Sequence, residues 1–526
     1  MTENALYGKI NYVIYHDAGF AFVREDIMLK SLEIYNETNK KLKALGYAGY
    51  LIGWDIQTEA PKRANHFKET ETLSEMQYKL STSPEYKCAI IDLYAHLSEL
   101  DEVLAHEITL AKEGIEKLEK IPMEEYIRFQ SLTNEFYNVY VDAKQNNDFK
   151  SALPYYEKIV DYRRRYVKWL ETPDKKGYDV LLDEFERDLT MKDCDEFFTL
   201  LKEKLVPLIK EISHKKPLFD DSFNKKIYPA AGQKEFQEYI RKVMGFNPDY
   251  TVVKESEHPF TTNNTVTDVR ITNHFYENNF TSSIFSAIHE MGHGLYELQC
   301  DPELDETMSA GGVSMAMHES QSRLMENMIG RSRAFWETHF KKLCEIFPEN
   351  LKNVTVNDMF LLCNRVECSL IRTEADELTY SLHIMIRYEI EKALISGEIE
   401  AKDIPATWNK LYKEYLGIDV PNDGKGCLQD VHWCYGEFGY FPTYALGSAY
   451  AAQIYDAMAK DLDINEEIKS GTVAGLENWL KEHIHKYGSS KFSKDILFIA
   501  TKENFNPAHY VNYLVNKYSE IYGIKK

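Results

Sequence analysis

The stretch Ser283-Ile-Phe-Ser-Ala-Ile-His289-Glu290-Met-Gly-His293-Gly-Leu-Tyr296-Glu297 carries the clearest chemistry in the chain. Residues four apart on a helix lie one above the other. His289 and His293 can therefore offer two ring nitrogens to one divalent ion, while Glu290 points toward the same place as an acid–base group. Ile284, Phe285, Ile288 and Leu295 supply an apolar face at helical spacing, and Thr281, Ser282 or Ser283 could cap the start. Gly292 and Gly294 each cost about 1 kcal/mol against alanine in a helix, a cost that close approach by a neighbouring element or a ligand would explain.

Two histidines leave a catalytic metal one protein ligand short. Glu297 lies about 12 Å along the axis from His289 on an unbroken helix, too far to share the ion. The third ligand must come from another element. Candidates are the acidic loop with Asp301, Glu303, Asp305 and Glu306, and Glu319 in the helical segment 314–327. His318 competes with Glu319, but adjacent helix positions point about 100° apart, so only one of them should face the metal. Spacing alone leaves Glu319 and the loop acids open.

Three further groups could bear on a substrate. Arg372 and Asp376 stand four apart, which means either a surface ion pair or, in a cleft, a cation for a carboxylate. His432 is followed by glycine-punctuated tyrosines, among them Tyr440 and Tyr444, whose hydroxyls can donate to an oxyanion. Cys427, His432 and Cys434 match no structural-zinc spacing. Residues 267–272 alternate as a half-buried strand with Asp268, Arg270 and Thr272 on one face; such a face is usually structural, though a peptide could align along the edge.

The elements that must hold these groups read as mostly helical. From Ile27 to about Leu200, segments rich in Leu, Glu, Lys and Tyr break at Ala60-Pro61, Ser83-Pro84, Ile121-Pro122 and Pro173-Asp174. Residues 215–232 read as a loop and 233–244 as a helix. Residues 1–27 read as an N-terminal extension, with residues 28–526 as a single domain: a helical part to about 250, then the metal-site motifs over about 258–444. There is no repeat and no Ser/Gly linker. With 44% hydrophobic residues the 526-residue chain can build a large core. Its net charge of −22 argues against nucleic acid or an anionic membrane as partner. Eight scattered cysteines without a C-x-x-C pair, no basic leader and no run of about 20 apolar residues fit a cytoplasmic protein with reduced thiols.

Six motifs in order give the chain a family resemblance: His258-Pro-Phe260, Asp268-x-Arg270-x-Thr272, His289-Glu290-x-x-His293, His318-Glu319-Ser-Gln321, Ile371-Arg372-x-x-Ala375-Asp376 and Gly426-x-x-Gln429-Asp430-x-His432-Trp433. It resembles the carboxypeptidase Taq family of metallocarboxypeptidases over residues 28–526, with Trp54-Asp55-x-x-Thr58-x-x-Pro61 and Asn506-Pro507 extending the match. Ala60 stands where that family commonly has methionine. The resemblance implies a mainly α, two-lobed helical shell around a deep central groove, a small β-sheet beside the metal-binding helix, and a homodimer. It implies His289, His293 and Glu319 as metal ligands, Glu290 as general base, Arg372 as anchor for the substrate's terminal carboxylate, and His432 with Tyr440 or Tyr444 as transition-state donors. Asp268, Arg270 and Tyr444 join Arg372 as candidate substrate-binding residues. The expected activity is removal of single C-terminal residues from peptides with a free carboxylate, through metal-activated water. The expected metal is one divalent ion, zinc first, with cobalt or manganese open. The rival readings are a metal-dependent oligo-endopeptidase and an inactive peptide-binding scaffold.

Overall fold

The computed structural model describes residues 19–60 and 67–525. Of the extension expected over residues 1–27, residues 1–18 lie outside the described residues, as does Pro61, and Gly19 already opens the first helix. The chain resolves into two compact units: residues 1–56 with 60–116, and residues 57–59 with 117–526.

The smaller unit is built from the long helix Gly19–Thr58, Phe67–Ser81, Pro84–Tyr94 and most of Glu102–Lys120. Ser83-Pro84 breaks the chain as its residue types require: the Ser83 side chain accepts from the Tyr86 N–H and Pro84 fills the first turn, where no amide partner is lost. Tyr35, Tyr86, Ile90, Leu93 and Ile108 form its core. The two tyrosines stack at 5.8 Å and send their hydroxyls to Glu107 and Asn39.

The larger unit is helical around one small sheet. Helices 123–146 and 149–170 follow the expected break at Pro122, and Met191–Ser213 opens with a Thr190/Asp193 capping box. The helix expected over 233–244 runs Ala230–Val243. Three strands, β1 (Thr251–Glu255), β2 (Thr261–Thr265) and β3 (Asp268–Asn273), pair in the order β1-β3-β2. β3 is parallel to β1 and antiparallel to β2, with Ile271 opposite Val253 and Thr261. Val269 and Ile271 are buried as the alternation requires, and Thr272 is buried as well. β3 is the central strand, paired on both sides, so it has no free edge along which a peptide could align.

Four later helices matter for the site, and each is named by what it carries. The histidine helix is Phe280–Leu298, the glutamate helix Met315–Arg323, the arginine helix Glu377–Ser396 and the tyrosine helix Phe441–Asp461. The expected cap of the first does not form: Asn279 occupies the position without a side-chain bond, and Ser283 Oγ instead lies 2.6 Å from Gln233 Oε1. The glutamate helix continues into a π-helical turn, Leu324–Gly330. All eight cysteines are free thiols. Among the described residues no helix is long and apolar enough to cross a membrane.

Candidate active site

Glycines let three helices close on one another. A Cβ at Gly292 would meet Ser322 Cα at 2.7 Å and Gln321 O at 2.9 Å, so the histidine helix lies backbone to backbone against the glutamate helix. A Cβ at Gly294 would meet the Phe246 ring at 2.5 Å, and one at Gly447 would meet Glu319 Cβ at 2.5 Å. The tyrosine helix is thus pressed onto Glu319, with Tyr444 one turn before Gly447. Ser314, at the start of the glutamate helix, sits at φ +42°, a costly value for a residue with a Cβ. Its side chain still caps the helix through the Met317 N–H.

This close packing brings His289, His293 and Glu319 together, with one ligand atom from each lying within 4.8 Å of the other two. Glu319 Oε2 is 3.9 Å from His289 Nε2 and 3.6 Å from His293 Nε2. Ligands of a tetrahedral ion with bonds of about 2.0–2.1 Å stand about 3.3 Å apart, so the observed spacing needs only a small closure. Two imidazoles and one carboxylate suit zinc, cobalt and manganese. His318 turns away from this cluster, as the 100° argument requires, and the loop acids do not enter it.

Each ligand is gripped from behind, which fixes the atom left to face an ion. His289 Nδ1 is 3.0 Å from Glu326 Oε2. Glu326 itself is tied to Arg323 and Arg331. Glu319 Oε1 accepts from Arg323 Nε at 2.7 Å, leaving Oε2 for the histidines. His293 Nδ1 is 2.7 Å from His318 Nδ1, and His318 Nε2 is 2.6 Å from Glu297 Oε1. An Nδ1–Nδ1 contact needs one proton. If His293 Nε2 is kept for a metal, that proton sits on His293 Nδ1, His318 accepts it, and His318 Nε2–H donates to Glu297. Glu297 also accepts from Asn263 Nδ2 and the Gly312 N–H.

The electrostatics follow from burial and these partners. Burial alone would raise the Glu319 carboxyl, but Arg323 and the two imidazoles overrule it and hold it well below the usual carboxylate range. Burial pushes His293 down to about 3, so its neutral form is ready to ligate. Glu290 is 7% exposed, and burial raises its pKa toward the range a proton carrier needs. The Thr261 hydroxyl lies 2.5 Å from Glu290 Oε2, so β2 aims the glutamate.

Arg372 does not pair with Asp376. Arg372 stands in a 3-10 turn, and Asp376 caps the arginine helix through the Leu378 and Thr379 N–H groups. Arg372 Nε and Nη2 instead reach Asp430 Oδ1 at 3.0 and 2.8 Å, while Arg387 from the arginine helix holds Oδ2 at 2.6 Å. One carboxylate between two guanidinium groups leaves a net positive site, and Arg372 Nη1 is turned to the Tyr380 hydroxyl. The Arg372 guanidinium lies over the Tyr444 ring at 4.9 Å. His432 Nε2 is 3.4 Å from the Tyr444 hydroxyl, and its ring is 5.2 Å from that of Tyr440. On β3, Arg270 grips Asp268 through two bonds of 2.8 and 2.9 Å. Thr272 accepts from Ser256 and from the Phe260 N–H, so it anchors the His258-Pro-Phe260 turn.

Sequence reasoning missed Glu326, Thr261 and Arg387. Glu326 had a signal: seven residues beyond Glu319, it falls on the same helix face. Glu297 was set aside as a ligand, which the structure bears out, but it anchors the partner of a ligand.

A helical scaffold that converges two imidazoles and a carboxylate beside a buried glutamate defines a metallopeptidase. Residues 34–518 match the carboxypeptidase Taq metallopeptidase family, and the chain belongs to that family. Carboxypeptidase 1 of Bacillus subtilis is 38% identical over 487 residues, covering 92% of this chain and 97% of its own. The solved structure of Pyrococcus furiosus carboxypeptidase is 31% identical, with a TM-score of 0.87 over 96% of this chain and 100% of that one. Metallocarboxypeptidase 1 of Trypanosoma cruzi is 32% identical, with a TM-score of 0.88 over 93% and 99%. The protein is a metal-dependent carboxypeptidase acting on peptides.

Proposed function

We propose that His289, His293 and Glu319 hold one divalent ion, zinc by preference, and that single residues are removed from peptide C-termini with Glu290 as general base. The observation that carries this reading is the cluster of the three ligand atoms beside buried, Thr261-aimed Glu290. When bound, the ion supplies a Lewis acid that makes water a competent nucleophile at neutral pH. Glu290 Oε takes a proton from the attacking water and returns it to the departing amine. His432 and Tyr440 or Tyr444 donate to the oxygen that becomes negative. Arg372, with charge left over from the shared Asp430, receives the terminal carboxylate through Nη1. Arg270 and Asp268, locked to one another, serve as a rigid wall rather than as a charged hook for the substrate. A cytoplasmic homodimer is the setting we assign, on the composition and the family.

The test is mass analysis of products from a free-acid peptide and from its amidated twin, with metal-stripped and reconstituted enzyme. Stepwise loss of one residue from the free acid, only after reconstitution, is expected, and Arg372→Ala should remove the preference for the free acid. Internal cleavage of the amidated peptide would overturn the reading in favour of an endopeptidase.

A further inference from the structure

The arginine helix grips the His432 segment at more than one point. Arg387 and Glu391 stand four apart and so share a face. Arg387 holds Asp430 and Gln429, just before His432. Glu391, one turn on, holds what comes after. Its Oε1 accepts from Trp433 Nε1 at 2.6 Å, and its Oε2 from the Gly439 N–H at 2.7 Å and from the Tyr178 hydroxyl. Trp433 follows His432 directly, and Gly439 directly precedes Tyr440. Gly439 is at φ +98°, and a Cβ there would lie 2.3 Å from Leu181 O, so the residue that turns its N–H onto Glu391 can only be glycine.

Glu391 has no exposure and no cation within hydrogen-bonding distance among its contacts; Arg163, which acts on it only through space, is paired with Glu184. Leaving a carboxylate in such a place is costly unless its hydrogen bonds matter. All three partners are donors, so the group serves as an acceptor post on which both ends of the His432–Tyr440 loop converge.

From this arrangement we infer that Glu391, which lies outside every motif of the family pattern, is a positioning residue for the reaction: it sets the aim of His432 and Tyr440 by clamping Trp433 and Gly439. The inference rests on the role given to those two donors above. Glu391→Gln keeps the volume but turns one acceptor oxygen into an NH2 group that faces donors.

Steady-state kinetics on the full-length, metal-loaded enzyme test it. Glu391→Gln should lower kcat by about tenfold or more, since small misplacements of reacting groups cost on that order, with KM and bound metal little changed. In a His432→Ala, Tyr440→Phe background, the same substitution should change kcat by less than about twofold, because no aimed donor remains. Equal losses in both backgrounds, or no loss in the parent, would overturn the inference in favour of a purely structural core group. If His432→Ala, Tyr440→Phe alone leaves kcat intact, the donor assignment itself has failed, and the inference falls with it by a separate, visible route. Should Glu391→Gln not fold, Trp433→Phe removes only the indole N–H and goes through the same cycle, with a loss of about threefold expected in the parent and none in the background.

Discussion

Replacing Gly292 by alanine is a small change with a large expected effect. The new methyl carbon would stand 2.7 Å from Ser322 Cα, 2.9 Å from Gln321 O and 3.2 Å from Ser322 N. Comfortable carbon–carbon separation is about 3.5–4.0 Å, so the two helices must part by about 0.8 Å or more. No rotamer change can absorb this, because all three obstructing atoms are backbone. Ser322 lies one turn beyond Glu319, so the displacement is carried to the carboxylate that faces His289 and His293. Metal sites hold their distances within about 0.2 Å, a tolerance several times smaller than the shift. An error near 1 Å costs about 100-fold in turnover. Helix propensity alone has the opposite sign: alanine for glycine should stabilise by about 1 kcal/mol. Metal content after dialysis against graded chelator, thermal melting and peptide turnover separate the two. We expect weakened metal retention, turnover down by about two orders of magnitude, and at most modest loss of stability. Gly294→Ala is the control, because the Phe246 ring and a Val269 methyl oppose it, and side chains can give. A Gly292→Ala enzyme that keeps metal and hydrolyses peptide like its parent would refute the claim that glycine sets the helix spacing.

Three further outcomes follow from the same geometry. Glu290→Gln should retain the metal and lose turnover by several orders of magnitude, and undiminished kcat would remove its role as base. Glu297→Gln, which weakens the charge behind His318 and His293, should lower metal affinity by about tenfold without unfolding the protein, as isothermal titration of apoenzyme would show. Burial holds His339 down to about 4 and His485 to about 3, while unfolded histidine titrates near 6.5. Above that value both states are neutral and these groups contribute nothing to pH dependence. As the pH falls from about 6.5 toward 4 the unfolded state takes up protons that the folded state refuses, so stability drops. Urea unfolding at a series of pH values should show that loss, and His339→Gln should flatten it; an unchanged slope would count against buried neutral His339.

The parts of the site that could be read from sequence are those fixed by local periodicity. His289, Glu290 and His293 sit on one helix, and the alternation of β3 follows from residue types alone. The cost of Gly292 and Gly294 in a helix signalled close packing, which the glutamate helix and Phe246 supply. The rest depends on where the helical phase changes. Arg372 and Asp376 looked paired because they are four apart, but a 3-10 turn and a helix start intervene, so their side chains diverge. Asp430 then becomes the partner of Arg372, 58 residues away, and no spacing rule reaches that far. His318 was legible as pointing away from the metal but not as the link between His293 and Glu297, since that requires the packing of two helices. Cys427 and Cys434, unconvincing as zinc ligands by spacing, are free buried thiols.

The π-helical turn at Leu324–Gly330 imposes one more condition, on the length of the chain rather than its composition. A wide turn holds one residue more than the α-helix around it, and it is here that Glu326 meets His289, Arg323 and Arg331. Excising any one of those seven residues would let the ordinary ladder close and give a better helix, while swinging everything downstream by about 100°. Descendants of this gene are therefore free to exchange side chains in that segment, but a single-codon deletion there would yield a sounder helix and a dead enzyme.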